Sequence, residues 1–314
     1  MVEASSVTGQ KYISLETFEL HLEFLERSKI NQVRLIGGEP TLHPKFSKLI
    51  DRAEQTGKHI VVFTNGIMPG SALQRLSHLP LDACTILVNT SASRPDGKLS
   101  KEESEKQRRT IFELGSRVVL GFNISRLKFD LEPLIQLIED ANCRKEIRLG
   151  LAQPQSTGQN CYLHPKQYPA AGRKIVGAAR LASDLGIFFS FDCGFVRCMF
   201  SEEDLNFLRS VNTDIGWRCN PILDITLDGK AIHCYPLGEG CQLQVTEEVN
   251  AAELRQELAK KFAYLRPAGI YPECSTCAYK ESGECTGGCL GGVTRRLRRS
   301  SVQITVPDRE VLEA

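Results

Sequence analysis

Gln32-Val33-Arg34-Leu35-Ile36-Gly37-Gly38-Glu39-Pro40-Thr41-Leu42-His43-Pro44 is the stretch from which the fold is read. A short β-rich run stops at two glycines, a carboxylate follows at once, and Pro44 opens a helical pattern that ends near Gly57. Further runs at 59–63, 85–89, 117–123 and 146–152 have the near-continuous apolar character of strands buried on both faces of a parallel sheet. Helical patterns lie between them. Ser14 caps a segment with Leu15, Phe18, Leu22 and Leu25 on one face, and others span 71–79, 101–114, 131–141 and 168–185. Repeated βα units curl into a barrel or lie as an open doubly wound sheet. Either architecture places the working site at the carboxyl ends of the strands.

Those ends are polar and rich in glycine: Gly37-Gly38-Glu39-Pro40, Thr64-Asn65-Gly66, Asn89-Thr90-Ser91 and Asn123-Ile124-Ser125. Two glycines let the backbone approach a ligand closely, and the carboxylate after them can accept hydrogen bonds from a ligand ammonium group. Each loop alone reads as an ordinary turn. Four at the same end point to a binding site.

The last third holds seven of the twelve cysteines. Cys219 and Cys234 have Gly229 between them in a Cys-x9-Gly-x4-Cys pattern, Cys241 follows, and Cys274, Cys277, Cys285 and Cys289 read Cys-x2-Cys-x7-Cys-x3-Cys. Thiolates grouped in this way hold a metal ion or an iron–sulfur cluster. The last four alone also make a four-thiolate zinc knuckle. Cys84, Cys143 and Cys161 read as small buried hydrophobes, and His43 and His233 as hydrogen-bonding supports.

A chain of 314 residues allows a large domain and a smaller one, and the cysteines divide it into 1–190 and 191–314. Its 41% hydrophobic and 25% charged residues are ordinary for a soluble protein, and no apolar run is long enough to cross a bilayer. A net charge of +1 argues against a nucleic-acid binder that relies on a global positive field. Arg295, Arg296, Arg298 and Arg299 read as a solvated helix face. Without a secretory segment or the small size of a disulfide scaffold, the cytoplasm is the expected location.

The string Gly-Gly-Glu-Pro-Thr-Leu-His-Pro resembles the radical SAM family motif for the amino group of S-adenosylmethionine. The cysteine-rich region resembles the SPASM or twitch extension of that family. The resemblance implies an α/β fold: a partial (βα)6 barrel lacking its first strand, with a small cysteine-rich C-terminal domain. It implies S-adenosylmethionine and [4Fe–4S] clusters as cofactors, one or two of them auxiliary. A 5′-deoxyadenosyl radical would then abstract hydrogen from a peptide, protein or small metabolite, with flavodoxin or ferredoxin as electron donor.

Carried onto this sequence, the resemblance gives Glu39 the methionine ammonium, with Gly37, Gly38 and Pro40 shaping the strand end. An exposed helix glutamate such as Glu26 should matter less to the cofactor. Thr64 and Asn65 would lie near the cofactor, and Asn89, Ser91, Asn123 and Ser125 are candidates for its ribose or carboxylate. Arg148 reads as a partner for a ligand carboxylate or as one half of a structural ion pair. Cys219, Cys234 and Cys289 would bind one auxiliary cluster and Cys274, Cys277 and Cys285 the other, with Cys193, Cys198 and Cys241 as sources of further ligands. The family's Cys-x3-Cys-x2-Cys loop has no counterpart, because no cysteine precedes Cys84. Two readings follow: a fragment of a longer enzyme, or a non-catalytic iron–sulfur or zinc protein that retains the barrel for binding. In both, the chain as written is expected not to cleave S-adenosylmethionine reductively.

Overall fold

The computed structural model describes residues 11–91, 99–154, 161–211 and 215–304, the side chains of 299–304 excepted. Six parallel strands follow one another across a single sheet: β1 Gln32–Leu35, β2 His59–Thr64, β3 Cys84–Asn89, β4 Val118–Ile124, β5 Glu146–Leu151 and β6 Phe188–Phe191. A doubly wound sheet requires a reversal of strand order, and the described strands show none. Sequential right-handed crossovers instead put the covering helices on one face, as in a barrel. These helices are α1 Leu15–Arg27, α2 Phe46–Gln55, α3 Gly70–Ser77, α4 Lys101–Leu114, α5 Glu132–Ala141 and α6 Tyr168–Ser183. Ser14 caps α1 by accepting the Thr17 N–H at 2.9 Å.

Alternation along the strands decides which face is which. Val33, Val62, Ile86, Val118, Ile147 and Phe189 are buried in the main core with Leu49, Leu76, Ile111 and Ile175 from the helices. The intervening residues Arg34, Thr85, Asn123, Arg148 and Ser190 are half-buried or exposed. The expectation of strands buried on both faces holds for the middle of the sheet, where Val61, Leu87 and Val119 on the other face are also buried; at Arg34, Arg148, Ser190 and the strand ends that face is polar and only partly covered. The sixth strand lay beyond the runs read from sequence. It is only four residues long and sits between Gly186, at φ +68°, and Asp192.

Beyond β6 come α7 Glu202–Ser210, a small antiparallel sheet of β7 Asp224–Ile225, β8 Lys230–Ile232 and β9 Gln242–Gln244, then α8 Ala251–Lys261, α9 Ala278–Glu281 and α10 Leu290–Ile304. Trp217, Leu237, Phe262, Leu290 and Val293 belong to the same buried cluster as the strands. A second cluster joins Phe24 of α1 to Ala231, Ala251 and Leu254. Arg27 Nη2 donates to the Thr246 carbonyl at 3.3 Å, and the Ala251 N–H donates to Ser28 Oγ at 3.0 Å. Among the described residues no helix is long and apolar enough to cross a membrane.

The arginine run on α10 is not simply solvated. Arg296 Nε donates to the Gly269 carbonyl at 3.1 Å and Nη2 to that of Ala268 at 3.3 Å, while Arg295 stacks on Tyr162 at 4.9 Å. Arg298 is exposed, and the Arg299 side chain lies outside the described residues.

Candidate functional site

Glu39 braces the ends of the first two strands. Its Oε1 accepts from Thr41 N at 3.2 Å, Thr41 Oγ1 at 2.6 Å and Thr64 Oγ1 at 2.8 Å, and its Oε2 accepts from Asn65 N at 2.7 Å. An ionised carboxylate offers about four lone-pair directions, two on each oxygen; Oε1 is fully engaged by the protein, while Oε2 has one protein donor and keeps a direction for another. Pro40 opens the single turn that returns Thr41 to this carboxylate. Thr64 is buried and also accepts the Gly66 N–H at 3.0 Å. Glu39→Gln replaces one acceptor by an amide that cannot accept, at a cost of about 1–3 kcal/mol. Its Tm should fall measurably in a thermal melt, while Glu23→Gln on the exposed face of α1 should leave it unchanged. Glu26 is exposed as expected but pairs with the buried Lys58 at 2.5 Å, so Glu23 is the better control for a stability measurement.

The two glycines before Glu39 have a different logic. A Cβ on Gly37 or Gly38 would meet no atom within 4 Å, and neither residue has positive φ. Neither packing nor backbone conformation in this chain requires glycine there. Both are exposed, so the backbone at this strand end is open to close approach by a ligand.

Gln107 ties the next strand ends together and was not foreseen. Its Nε2 donates to the carbonyls of Asn65 at 2.7 Å and Asn89 at 3.2 Å. The available signal was its position on the buried face of α4, in register with Thr110, Ile111 and Leu114. Asn89 Oδ1 accepts from Ser91 Oγ at 2.7 Å, and Ser91 Oγ accepts the Asn123 N–H at 3.2 Å. Ser125 is half-buried two residues beyond Asn123. Arg148 forms an ion pair with Asp192 and lies 4.9 Å from the Phe63 ring, which is the structural-pair reading of that residue. Burial pushes the Asp192 carboxyl up, and Arg148 opposes the shift. Asn123 and Asp192 lie across Gly150, where a Cβ would come within 2.3 Å of Asn123 Oδ1.

The C-terminal thiols fall into two groups. In the first, Cys219 and Cys289 are close neighbours whose thiols act on each other's ionisation. Cys219 also receives the Leu290 N–H and faces Arg266, so its thiol is the one held down and that of Cys289 is raised. Cys193 and Cys234 adjoin them. Burial, then the charge of Cys219, pushes Cys193 up to about 12 and raises Cys234 further. In the second group, Cys198, Cys274, Cys277 and Cys285 line one recess. Burial and the charges of Cys285 and Cys274 push Cys198 up to about 11. The Gly287 N–H donates to Cys285 Sγ at 3.3 Å. Gly269, at φ +66°, could not carry a side chain, because a Cβ there would stand 2.7 Å from Cys274 Sγ.

This grouping splits the zinc knuckle expected from Cys274, Cys277, Cys285 and Cys289, since Cys289 lies with Cys219. Cys241 packs half-buried against the main core. Cys84 and Cys143 are buried as expected, whereas Cys161 is exposed and accepts from Arg126 Nη2 at 3.2 Å. His43 is a support: Nε2 bonds the Ile13 carbonyl at 2.9 Å, and Nδ1 accepts the Lys45 N–H at 3.0 Å. His233 is not. It is fully buried, with neither ring nitrogen hydrogen-bonded, and burial together with Arg266 holds it down to about 4. Arg266 Nη1 is likewise buried and unpartnered, while its Nη2 donates to the Cys219 carbonyl.

Among the described residues no three His, Cys or carboxylate side chains are grouped as ligands of a single metal ion. Two sets of four thiols, an N–H aimed at sulfur and orphaned buried nitrogens beside Cys219 and Cys234 fit a polynuclear centre better than one ion.

Residues 5–125 match the Radical SAM superfamily. No curated protein matches the chain. Among solved structures, SuiB of Streptococcus suis superposes with a TM-score of 0.56 at 14% identity, covering 76% of this chain and 58% of SuiB. This chain thus spans less than two thirds of the length of that protein. The S-adenosylmethionine-bound form of SuiB superposes at 0.62 with 13% identity, over 89% and 67% of the two chains. The protein anSMEcpe, solved with AdoMet and the Kp18Cys peptide, gives 0.59 at 14% identity, over 90% and 83%. At these identities the likeness is one of fold: a partial radical SAM barrel of six parallel strands, followed by a small cysteine-rich region with an antiparallel sheet.

Proposed function

We propose that this chain binds S-adenosylmethionine at the strand ends and iron–sulfur centres in its C-terminal region, as a radical SAM enzyme or a part of one that modifies a peptide or a small metabolite. The observation that carries the reading is the exposed Gly37-Gly38 backbone at the end of β1, directly before Glu39, where neither packing nor backbone conformation calls for glycine. S-adenosylmethionine with a reduced [4Fe–4S] cluster supplies a 5′-deoxyadenosyl radical in this family. The chain's own residues position and enclose. The Gly37-Gly38 backbone meets the methionine end, and Glu39 fixes the approach of β1 to β2. Asn89, Ser91, Asn123 and Ser125 offer polar contacts along the partly covered face. Cys193, Cys219, Cys234 and Cys289 hold one auxiliary centre, and Cys274, Cys277 and Cys285 belong to the other.

A peptide substrate is supported by the fold likeness to SuiB and anSMEcpe, whose structures include bound peptides. An electron donor such as flavodoxin or ferredoxin and a reducing cytoplasmic setting suit thiolate-held centres.

The test is calorimetric titration of S-adenosylmethionine into the anaerobically reconstituted chain and its Gly37→Ala/Gly38→Ala variant. The variant should keep or slightly raise its Tm, because Gly→Ala at an unstrained position stabilises by about 0.4–1 kcal/mol each. Its affinity should fall at least about tenfold, or roughly 1.4 kcal/mol. Equal affinities would remove the strand end from the site.

A further inference from the structure

Three thiols of the second group come from the C-terminal segment, and the fourth comes from the barrel. We propose that Cys198 is the fourth thiolate of the second centre, so that the loop after β6 gives Cys193 to one centre and Cys198 to the other. The assignment rests on the iron–sulfur reading above and adds the ligand that the motif cysteines leave out.

The geometry supports it in three ways. Cys198 lines the same recess as Cys274, Cys277 and Cys285, while Cys289 belongs to the first group and Cys241 to the core. Within 194–200, Gly194, Phe195, Val196, Arg197, Met199 and Phe200 are all buried, and Cys198 alone is exposed, toward that recess. A single 3-10 turn, Arg197–Met199, fixes its direction. Gly172 of α6 lies so close beneath it that a Cβ would come within 2.2 Å of the Met199 carbonyl oxygen. Finally, Arg197 anchors the turn to the segment bearing Cys285. It forms ion pairs with Glu202 and with Glu284 and stacks on Tyr279 at 4.3 Å. A ligand held by packed neighbours is preorganised, and four thiolates complete a cubane.

The experiment uses the full chain reconstituted without oxygen from iron and sulfide. In the wild type, iodoacetamide labelling followed by peptide mass spectrometry should show Cys198 labelled in the metal-free chain and protected at least tenfold after reconstitution. Cys161, exposed and outside both groups, should label equally in both states. Cys198→Ser should change the electron paramagnetic resonance of the reduced protein in the same component that Cys285→Ala removes. Iron retained with Cys198 freely labelled, or a Cys198→Ser spectrum identical to wild type, overturns the assignment alone. A wild-type chain that takes up no iron overturns the iron–sulfur reading and the assignment with it.

Discussion

Reconstituted anaerobically with iron and sulfide, the chain takes up on the order of eight irons, as two [4Fe–4S] centres require, and turns brown. The expectation rests on eight thiols arranged in two sets of four and on the lack, among the described residues, of any grouping suited to one ion. The folded state alone brings together ligands from residues 193 to 289. Binding is therefore coupled to stability, and saturation should raise the Tm by on the order of 10 °C. Cys219→Ala should lose about half of the iron, because it removes the thiol that adjoins Cys289 and faces Arg266. A colourless protein with stoichiometric zinc after anaerobic work-up would falsify this assignment.

The second large effect is an absence of turnover. With S-adenosylmethionine and dithionite, this 314-residue chain should form no 5′-deoxyadenosine, although it binds the cofactor. Reductive cleavage needs an iron with an open position next to the bound methionine group, and the first cysteine of this chain is Cys84, well beyond Glu39 in sequence. The two thiol groups lie in and beyond the loop after β6, and a fully ligated centre has no open iron. Chromatographic detection of 5′-deoxyadenosine that disappears in Cys274→Ala would show that the second centre performs the cleavage and would overturn this division of labour.

The βα series was legible because each strand has an apolar rank facing the helices, and that rank alone reveals a strand. On the inner face Val61, Leu87 and Val119 are buried as read, whereas Arg148 and Ser190, interspersed with Leu149 and Phe189, leave that face polar on β5 and β6 and change the local average little. β6, as short as β1, follows α6 directly at Gly186 and lacks the Gly-Gly-Glu string that marks the end of β1. At the site, the Gly-Gly-Glu string marked the right strand end, but the carboxylate's engagement with Thr41, Thr64 and Asn65 depends on the approach of β2, which local sequence does not encode. Gln107 was hidden in a charged helix. The family resemblance assigns Cys285 and Cys289 to different centres, and the turn at Gly287 and Gly288, both at positive φ, lies between them. What the motif leaves open is the place of Cys193, Cys198 and Cys241, because these lie outside its spacing and only the fold brings them near or away from the other thiols.

Phe24 lies on α1, yet its cover comes from Ala231, Ala251 and Leu254, and the neighbouring bonds from Arg27 and Ser28 span 219 and 223 residues. During synthesis at roughly 5–20 residues per second, that aromatic ring emerges roughly 10–45 s before its partners. The nascent barrel therefore carries an uncovered apolar spot on its first helix for much of translation, a natural handle for a chaperone. Closure of that spot is a late, long-range event, slow by the loop entropy it must overcome. Synonymous codon changes that slow elongation between residues 30 and 230 would lengthen this vulnerable interval without altering a single side chain.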